Sequence, residues 1–304
     1  MKTLDLFCGC GGLSLGFQSA GFQIHSAFDV WNKVIEIYNE NFSHKAELLD
    51  LSTIPHSYFC ELKPDLIIGG PPCQDYSSAG KRDEKNGRAD LTITFAELIC
   101  GALPKWFVME NVDRIIKSVT LQRAIDIFKR SGYGLTQVVL DASKCGVPQK
   151  RKRFFMIGEL HGSDDFLYSE LINNLSKTSM TVYDYLGDEL DTKYYYRHPR
   201  TYARRGVFSI DEPSPTIRGV NRPIPSSYKV HNGDATHDLS LVRVLTTEER
   251  ARIQTFPKYF RLQGTKTELE QIIGNAVPVN LANYVASCLF EYLGIATKFC
   301  SANP

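Results

Sequence analysis

The sequence predicts an α/β fold: a mostly parallel, doubly wound sheet with a second, smaller domain that is β-rich and irregular. Three observations carry that expectation. Over the first 160 residues short apolar runs alternate with helical patterns, the mark of parallel strands joined by crossover helices. Glycine and proline clusters follow two of the apolar runs, at residues 9–12 and 69–72, where open α/β sheets collect their ligands. After about residue 160 the alternation gives way to loops holding Pro199, Pro213, Pro215, Pro223 and Pro225.

In chain order the expected strands are 3–7, 23–29, 66–69, 106–110, 134–141 and 153–159, and the expected helices 13–20, 33–41, 92–103 and 121–131. Each helix should cross right-handed to the next parallel strand. Regular structure resumes at Thr246-Thr247-Glu248-Glu249, where a threonine cap opens a helix. A last helix, 280–292, carries Leu281, Tyr284, Val285, Cys288 and Leu289 at helical spacing and should pack back onto the first domain. The chain thus leaves the sheet domain, builds the small one and returns: residues 1–160 and 243–304 form one domain, 161–242 the other.

A chain of 304 residues with ordinary apolar and charged fractions suits a globular protein of one or two domains. No apolar run approaches the roughly 20 residues that cross a bilayer. The N-terminus enters an apolar strand without the features of a signal peptide, so no membrane and a cytoplasmic location are expected. The eight cysteines are scattered and read as thiols. Cys8 and Cys10 are a lone pair without a second pair at zinc-site spacing, so they read as small buried loop residues and no metal is expected.

A net charge of +1 hides an internal contrast. From Thr192 to Asn232 eight Lys and Arg face only Asp211 and Glu212, whereas residues 161–191 hold seven acids against Lys177. The basic stretch interleaves Tyr194, Tyr195, Tyr196, Tyr202 and Phe208, which suits phosphate contacts beside base stacking; a solvated surface is the plainer alternative.

Residues 5–12, Asp-Leu-Phe-Cys-Gly-Cys-Gly-Gly, end the first strand and open the first helix. Gly9, Gly11 and Gly12 let backbone approach a ligand at the helix N-terminus, although the spacing is not that of G-x-G-x-x-G and a tight turn is the alternative. Asp29 and Asp50 follow later apolar segments, where an acid can hold ribose hydroxyls or a base amino group, which favours a nucleoside-containing cofactor. Pro71-Pro72-Cys73 holds a thiol in a strand-end turn; the thiolate is the nucleophile, and a nearby cation or helix terminus should activate it. The polar loop 74–88 beside it reads as a lid. Glu110 ends a buried strand, and burial should raise its pKa so that it can donate a proton. Alternation sends Gln149, Arg151 and Arg153 to one face and Lys150 and Lys152 to the other.

With these residues in hand the chain resembles the cytosine-C5 DNA methyltransferase family of bacterial restriction-modification systems. The resemblance rests on residues 5–12, Asp29, Asp50, Gly69-Gly70-Pro71-Pro72-Cys73-Gln74, Glu110-Asn111-Val112 and Gln149-x-Arg151-x-Arg153. It continues through Arg243-Val244-Leu245-Thr246, Gln254-Thr255-Phe256-Pro257 and Gly274-Asn275-Ala276-Val277-Pro278, in family order. Local departures are Tyr76, where phenylalanine is common, and Ala89, where glycine is usual.

The resemblance implies a Rossmann-like class I methyltransferase fold, S-adenosyl-L-methionine as cofactor and a target-recognition domain in the basic segment. It implies cofactor contacts from Phe7, Gly9, Gly11, Gly12, Asp29, Val30, Asp50, Leu51, Pro72, Leu91, Asn275 and Val277, with Phe7 stacked on adenine. DNA contacts are expected from Gln74, Ser77, Ser78, Lys81, Arg82 and Arg88 of the loop, and from Arg204, Arg205, Thr216 and Arg218. Cys73 would add to carbon 6 of a flipped cytosine, Glu110 would donate at N3, Arg153 helped by Arg151 would fix the base carbonyl, and Asn111 would position Glu110 and the Pro72 turn. The implied partner is double-stranded DNA, met by a monomer near the bacterial nucleoid, with a cognate restriction endonuclease sharing the site but forming no complex. The rival readings are a tRNA cytosine-C5 methyltransferase and a non-catalytic nucleic-acid-binding relative.

Overall fold

The computed structural model describes residues 1–72, 91–201 and 203–294. Its strands are β1 (Lys2–Leu6), β2 (Gln23–Asp29), β3 (Ala46–Leu48), β4 (Leu66–Gly69), β5 (Trp106–Val112), β6 (Tyr133–Asp141), β7 (Gln149–Lys150), β8 (Lys152–Leu160), β9 (Tyr194–Tyr196), β10 (Val207–Ser209), β11 (Ser214–Pro215) and β12 (Val242–Val244). The helices are α1 (Gly12–Ser19), α2 (Asn32–Asn41), α3 (Leu91–Ala102), α4 (Val119–Arg130), α5 (Tyr168–Asn173), α6 (Val182–Leu186), α7 (Thr247–Ile253), α8 (Lys266–Asn275) and α9 (Val279–Tyr292).

Seven strands form the main sheet in the order β3-β2-β1-β4-β5-β8-β6. Neighbours from β3 to β5 run parallel, and β8 is antiparallel to both β5 and β6. Strand alternation divides the core cleanly. Leu66, Ile68, Val108, Phe155 and Ile157 face the cluster holding α1 and α9, whereas Leu4, Leu6, Ile67, Phe107 and Met109 face the cluster holding α3 and α4. Covering both faces makes this a doubly wound sheet, as the apolar runs predict. β3 escapes the sequence pattern because it is three residues long and exposes Glu47 and Leu48.

The smaller sheet has the order β10-β9-β12, and β11 pairs in parallel with β7. Its aromatics do not form the stacking surface that the sequence suggests. Tyr195 and Tyr196 are 1% exposed and Phe208 is buried, so they supply the apolar core that this short-stranded unit needs; Tyr202 lies outside the described residues. The segment after residue 160 also differs from expectation. Leu167 and Leu171 join the core against α9, where Tyr284 donates its hydroxyl to the Leu171 carbonyl at 2.8 Å. The stretch Lys266–Tyr292 is long and apolar enough by length and composition to span a bilayer, contrary to the sequence reading, yet 61% of its apolar window is buried inside the chain. Ala276 and Pro278 break it into α8 and α9.

Candidate active site

β1 lies between β2 and β4, so the strand order reverses at its carboxyl end and opens a crevice there. Phe7 leaves β1 with φ 62°, a left-handed conformation uncommon for a bulky residue and one found at functional turns. The Cys8 N–H donates to the Phe28 carbonyl at 3.0 Å, and Asp29 grips the loop: its Oδ2 accepts from the Gly9 N–H and its Oδ1 from the Trp31 N–H, each at 2.9 Å. Burial lifts the Asp29 carboxyl above its ordinary range against these bonds. Cys8 and Cys10 are buried, and burial pushes the Cys10 thiol up to about 12, which leaves it unreactive.

The three glycines separate into different uses. A side chain at Gly9 would meet open space, whereas one at Gly11 would strike the Phe42 ring and one at Gly12 the Val277 carbonyl. Gly11 and Gly12 therefore make room for protein, and Gly9 leaves open space beside the loop. Leu51, at 2% exposure, belongs to the core beneath α3. Of the other expected cofactor contacts, Val30, Asp50, Pro72 and Asn275 are exposed, and Phe7, Leu91 and Val277 half-buried. The Asp50 Oδ1 already accepts from the Ser52 N–H at 2.9 Å and hydroxyl at 2.6 Å.

Beneath the loop runs a buried chain that sequence reasoning missed. The Tyr38 hydroxyl meets the His44 Nε2 at 2.7 Å and donates to Ser14 Oγ at 2.6 Å; Ser14 donates to Asp5 Oδ2 at 2.6 Å. Burial raises the Asp5 carboxyl to about 7. The available signal was Ser14, a polar residue between Leu13 and Phe17 on the inward face of α1.

At the ends of β4 and β5, register explains the second half of the site. Glu110 pairs with Phe155 and Val112 with Arg153, so Glu110 and Arg153 lie diagonally on one face. The Arg153 Nε stands 2.8 Å from the Glu110 Oε1. Burial raises the Glu110 pKa, and the Arg153 and Arg151 charges hold it back. Asn111 donates its Nδ2 to the Pro71 carbonyl at 2.9 Å while its Oδ1 accepts the Val112 N–H at 2.8 Å, which ties the prolyl turn to β5. Cys73, Gln74, Ser77, Ser78, Lys81, Arg82 and Arg88, and with them the expected lid, lie outside the described residues.

Arg151, expected to help Arg153 at the base, is bonded within the fold. It is 1% exposed and donates from Nη1 to the Ile217 carbonyl at 2.9 Å and from Nη2 to the Gly274 and Ala276 carbonyls at 3.0 and 3.2 Å. Gln149 bonds the Ile217 N–H at 2.9 Å and Gln254 Oε1 at 2.7 Å, and Gln254 donates to the Ile273 and Ala276 carbonyls at 2.6 and 3.2 Å. Arg151 is thus a strut between β8, the segment after β11 and the end of α8. On the recognition side Arg204 is exposed, but Arg205 is committed to Glu212 and stacks 4.3 Å over the Phe208 ring. Thr216 donates to the Lys150 carbonyl at 2.8 Å and Arg218 to the His198 carbonyl, so three of the four expected contacts there already have structural partners.

A doubly wound sheet with a glycine loop at its switch point and a buried carboxylate beside the next strand's turn defines a Rossmann-like class I methyltransferase fold. The chain belongs to the family of C-5 cytosine-specific DNA methylases, which matches residues 1–291. It is 59% identical to the type II methyltransferase M.HindV of Haemophilus influenzae over 295 residues, 96% of this chain and 97% of that one. It is 58% identical to M.HgiDI of Herpetosiphon aurantiacus, covering 96% and 95%. The solved Schizosaccharomyces pombe Dnmt2 methyltransferase shares the fold at TM-score 0.71 and 20% identity, over 96% of this chain and 99% of that one. The protein is a DNA cytosine-C5 methyltransferase of the restriction-modification kind, and the tRNA and non-catalytic readings are not favoured.

Proposed function

We propose that Cys73, Glu110 and Arg153 methylate a flipped-out cytosine in duplex DNA within a short recognition sequence. The observation that supports this reading is the Asn111–Pro71 bond, which ties the turn before Cys73 to the strand that carries the buried Glu110. Carbon 5 of cytosine is a poor nucleophile until a thiolate adds to carbon 6 and breaks the ring's conjugation. Glu110, its pKa raised by burial, holds a proton for N3 as charge builds. Arg153 stabilises that charge at the base carbonyl, and Arg151 positions Arg153 through the strut. Once carbon 5 has taken the methyl group, loss of its proton to solvent or a base expels the thiolate and restores the ring.

S-adenosyl-L-methionine, implied by the family, supplies an electrophilic methyl group when bound. The crevice fits it: Gly9 leaves open space, Phe7 can lie on the adenine, and Asp29 and the exposed Asp50 can meet polar groups of the nucleoside. Asn275 and Val277 would close the far side. We also infer a monomer acting on chromosomal DNA in the bacterial cytoplasm, paired with an endonuclease of the same target but not bound to it. We further propose that residues 1–160 and 243–304 carry catalysis and 161–242 recognition, with Leu167 and Leu171 of the latter packed into the sheet core.

Cys73→Ala should abolish incorporation of labelled methyl groups while DNA binding survives; methylated DNA made by that variant would overturn the mechanism. Bisulfite sequencing of DNA from cells expressing the wild-type chain locates the target cytosine.

A further inference from the structure

Positive charge gathers on the recognition side where few acids offset it. Arg197 follows β9 and donates from Nη2 to the Thr216 carbonyl at 3.1 Å, while Arg218, after β11, donates back to the His198 carbonyl. The two strand ends are cross-laced by their own arginines. Arg250 of α7 donates to the Arg218 carbonyl and pairs with the buried Glu270. Arg197, His198, Arg218, Asn221 and Arg250 line a cavity of about 20 Å³, room for one oxygen-sized group.

Glu270 neutralises Arg250, but among the described residues no carboxylate forms an ion pair with Arg197, Arg200, Arg218 or Arg222. Arg200 and Arg222 are exposed and act electrostatically on the half-buried pair. Burial first, then Arg218 and Arg200, pushes Arg197 down to about 10. The Nε atoms of Arg197 and Arg218 are buried without a hydrogen-bond partner. Like charges held this closely raise the energy of the free protein, and an anion seated among them removes that cost. Arg205 is the contrast, since Glu212 already satisfies it.

We infer that Arg197, Arg200, Arg218 and Arg222 form a seat for one backbone phosphate of the DNA, with a phosphate oxygen at the cavity mouth. The inference rests on the DNA-methylating reading and assigns the cluster to positioning rather than to base reading. Arg197 and Arg218 each spend one N–H on a carbonyl of the fold and keep donors for an anionic oxygen. Phosphate contacts of this kind set the register of a protein on the duplex. Here register would pass inward through Ile217, next to Arg218, whose carbonyl is held by Arg151.

The test is the salt dependence of DNA binding by the full chain carrying Arg200→Gln and Arg222→Gln, exposed positions that take no part in the lacing. One duplex carries the site located by bisulfite sequencing and a second of equal length lacks it. Affinity for both should fall by a similar factor, on the order of tenfold, and the slope of log affinity against log salt should become shallower by about 1. Arg200→Lys with Arg222→Lys should restore most of the slope. An unchanged slope, or a loss confined to the site-bearing duplex, overturns the phosphate seat. Failure of the methyltransferase reading would appear separately, as wild-type chain that transfers no methyl group.

Discussion

Asp5 sits at 0% exposure in the strand that leads to the crevice, between Leu4 and Leu6. Its carboxyl titrates near 7 in the fold against an ordinary 3.8, so between those values the folded chain holds a proton that the unfolded chain has released. Stability therefore falls as pH rises from about 4 to about 7, by roughly 1.4 kcal/mol per pH unit from this group. Asp5→Asn should remove that slope, read by urea unfolding at a series of pH values; a variant with the wild-type slope would show that another group is responsible. The Glu110 burial was legible, because a carboxylate closing an apolar strand has few other fates. The chain from Asp5 to His44 was not, because its links join residues up to 24 apart in sequence and no local pattern records them.

Elements with strong local signals came out where the pattern put them. Thr246 caps α7 with Glu249 completing the capping box, and helix α9 carries its apolar stripe onto α1. The two-residue strands β7 and β11 are too short to show a period, and their pairing appears only in three dimensions. The glycine loop separates the two kinds of information at one element. Gly12→Ala would drive a methyl group into the Val277 carbonyl and push α1 off the start of α9, costing about 1–3 kcal/mol and weakening cofactor binding. Gly9→Ala meets no atom and should cost about 1 kcal/mol through its φ of 54° alone. Thermal unfolding of the two variants checks this order of stability, and equal losses would contradict it.

Across the whole molecule, the sheet domain and the recognition segment are joined by Gln149, Arg151 and Gln254. Arg151→Leu would leave the carbonyls of Ile217, Gly274 and Ala276 without this donor. It should lower stability by about 2–5 kcal/mol and weaken DNA and cofactor binding together. Urea unfolding with separate titrations of each ligand measures this; loss of one affinity with the other intact would show that Arg151 serves a single site. The basic composition of residues 192–232 marks the side proposed to face DNA, but composition cannot tell an aromatic that stacks on a base from one that fills the core of a small domain. Tyr195 and Tyr196 do the latter.

The join at Ile217 has a consequence for how such enzymes acquire new targets. Gln149 and Arg151 hold only the N–H and the carbonyl of Ile217, groups that residues other than proline present alike. These two bonds therefore do not depend on which side chain stands at position 217. On the proposed reading, a recognition segment of different sequence whose main chain enters in the same register would be held by the same two side chains.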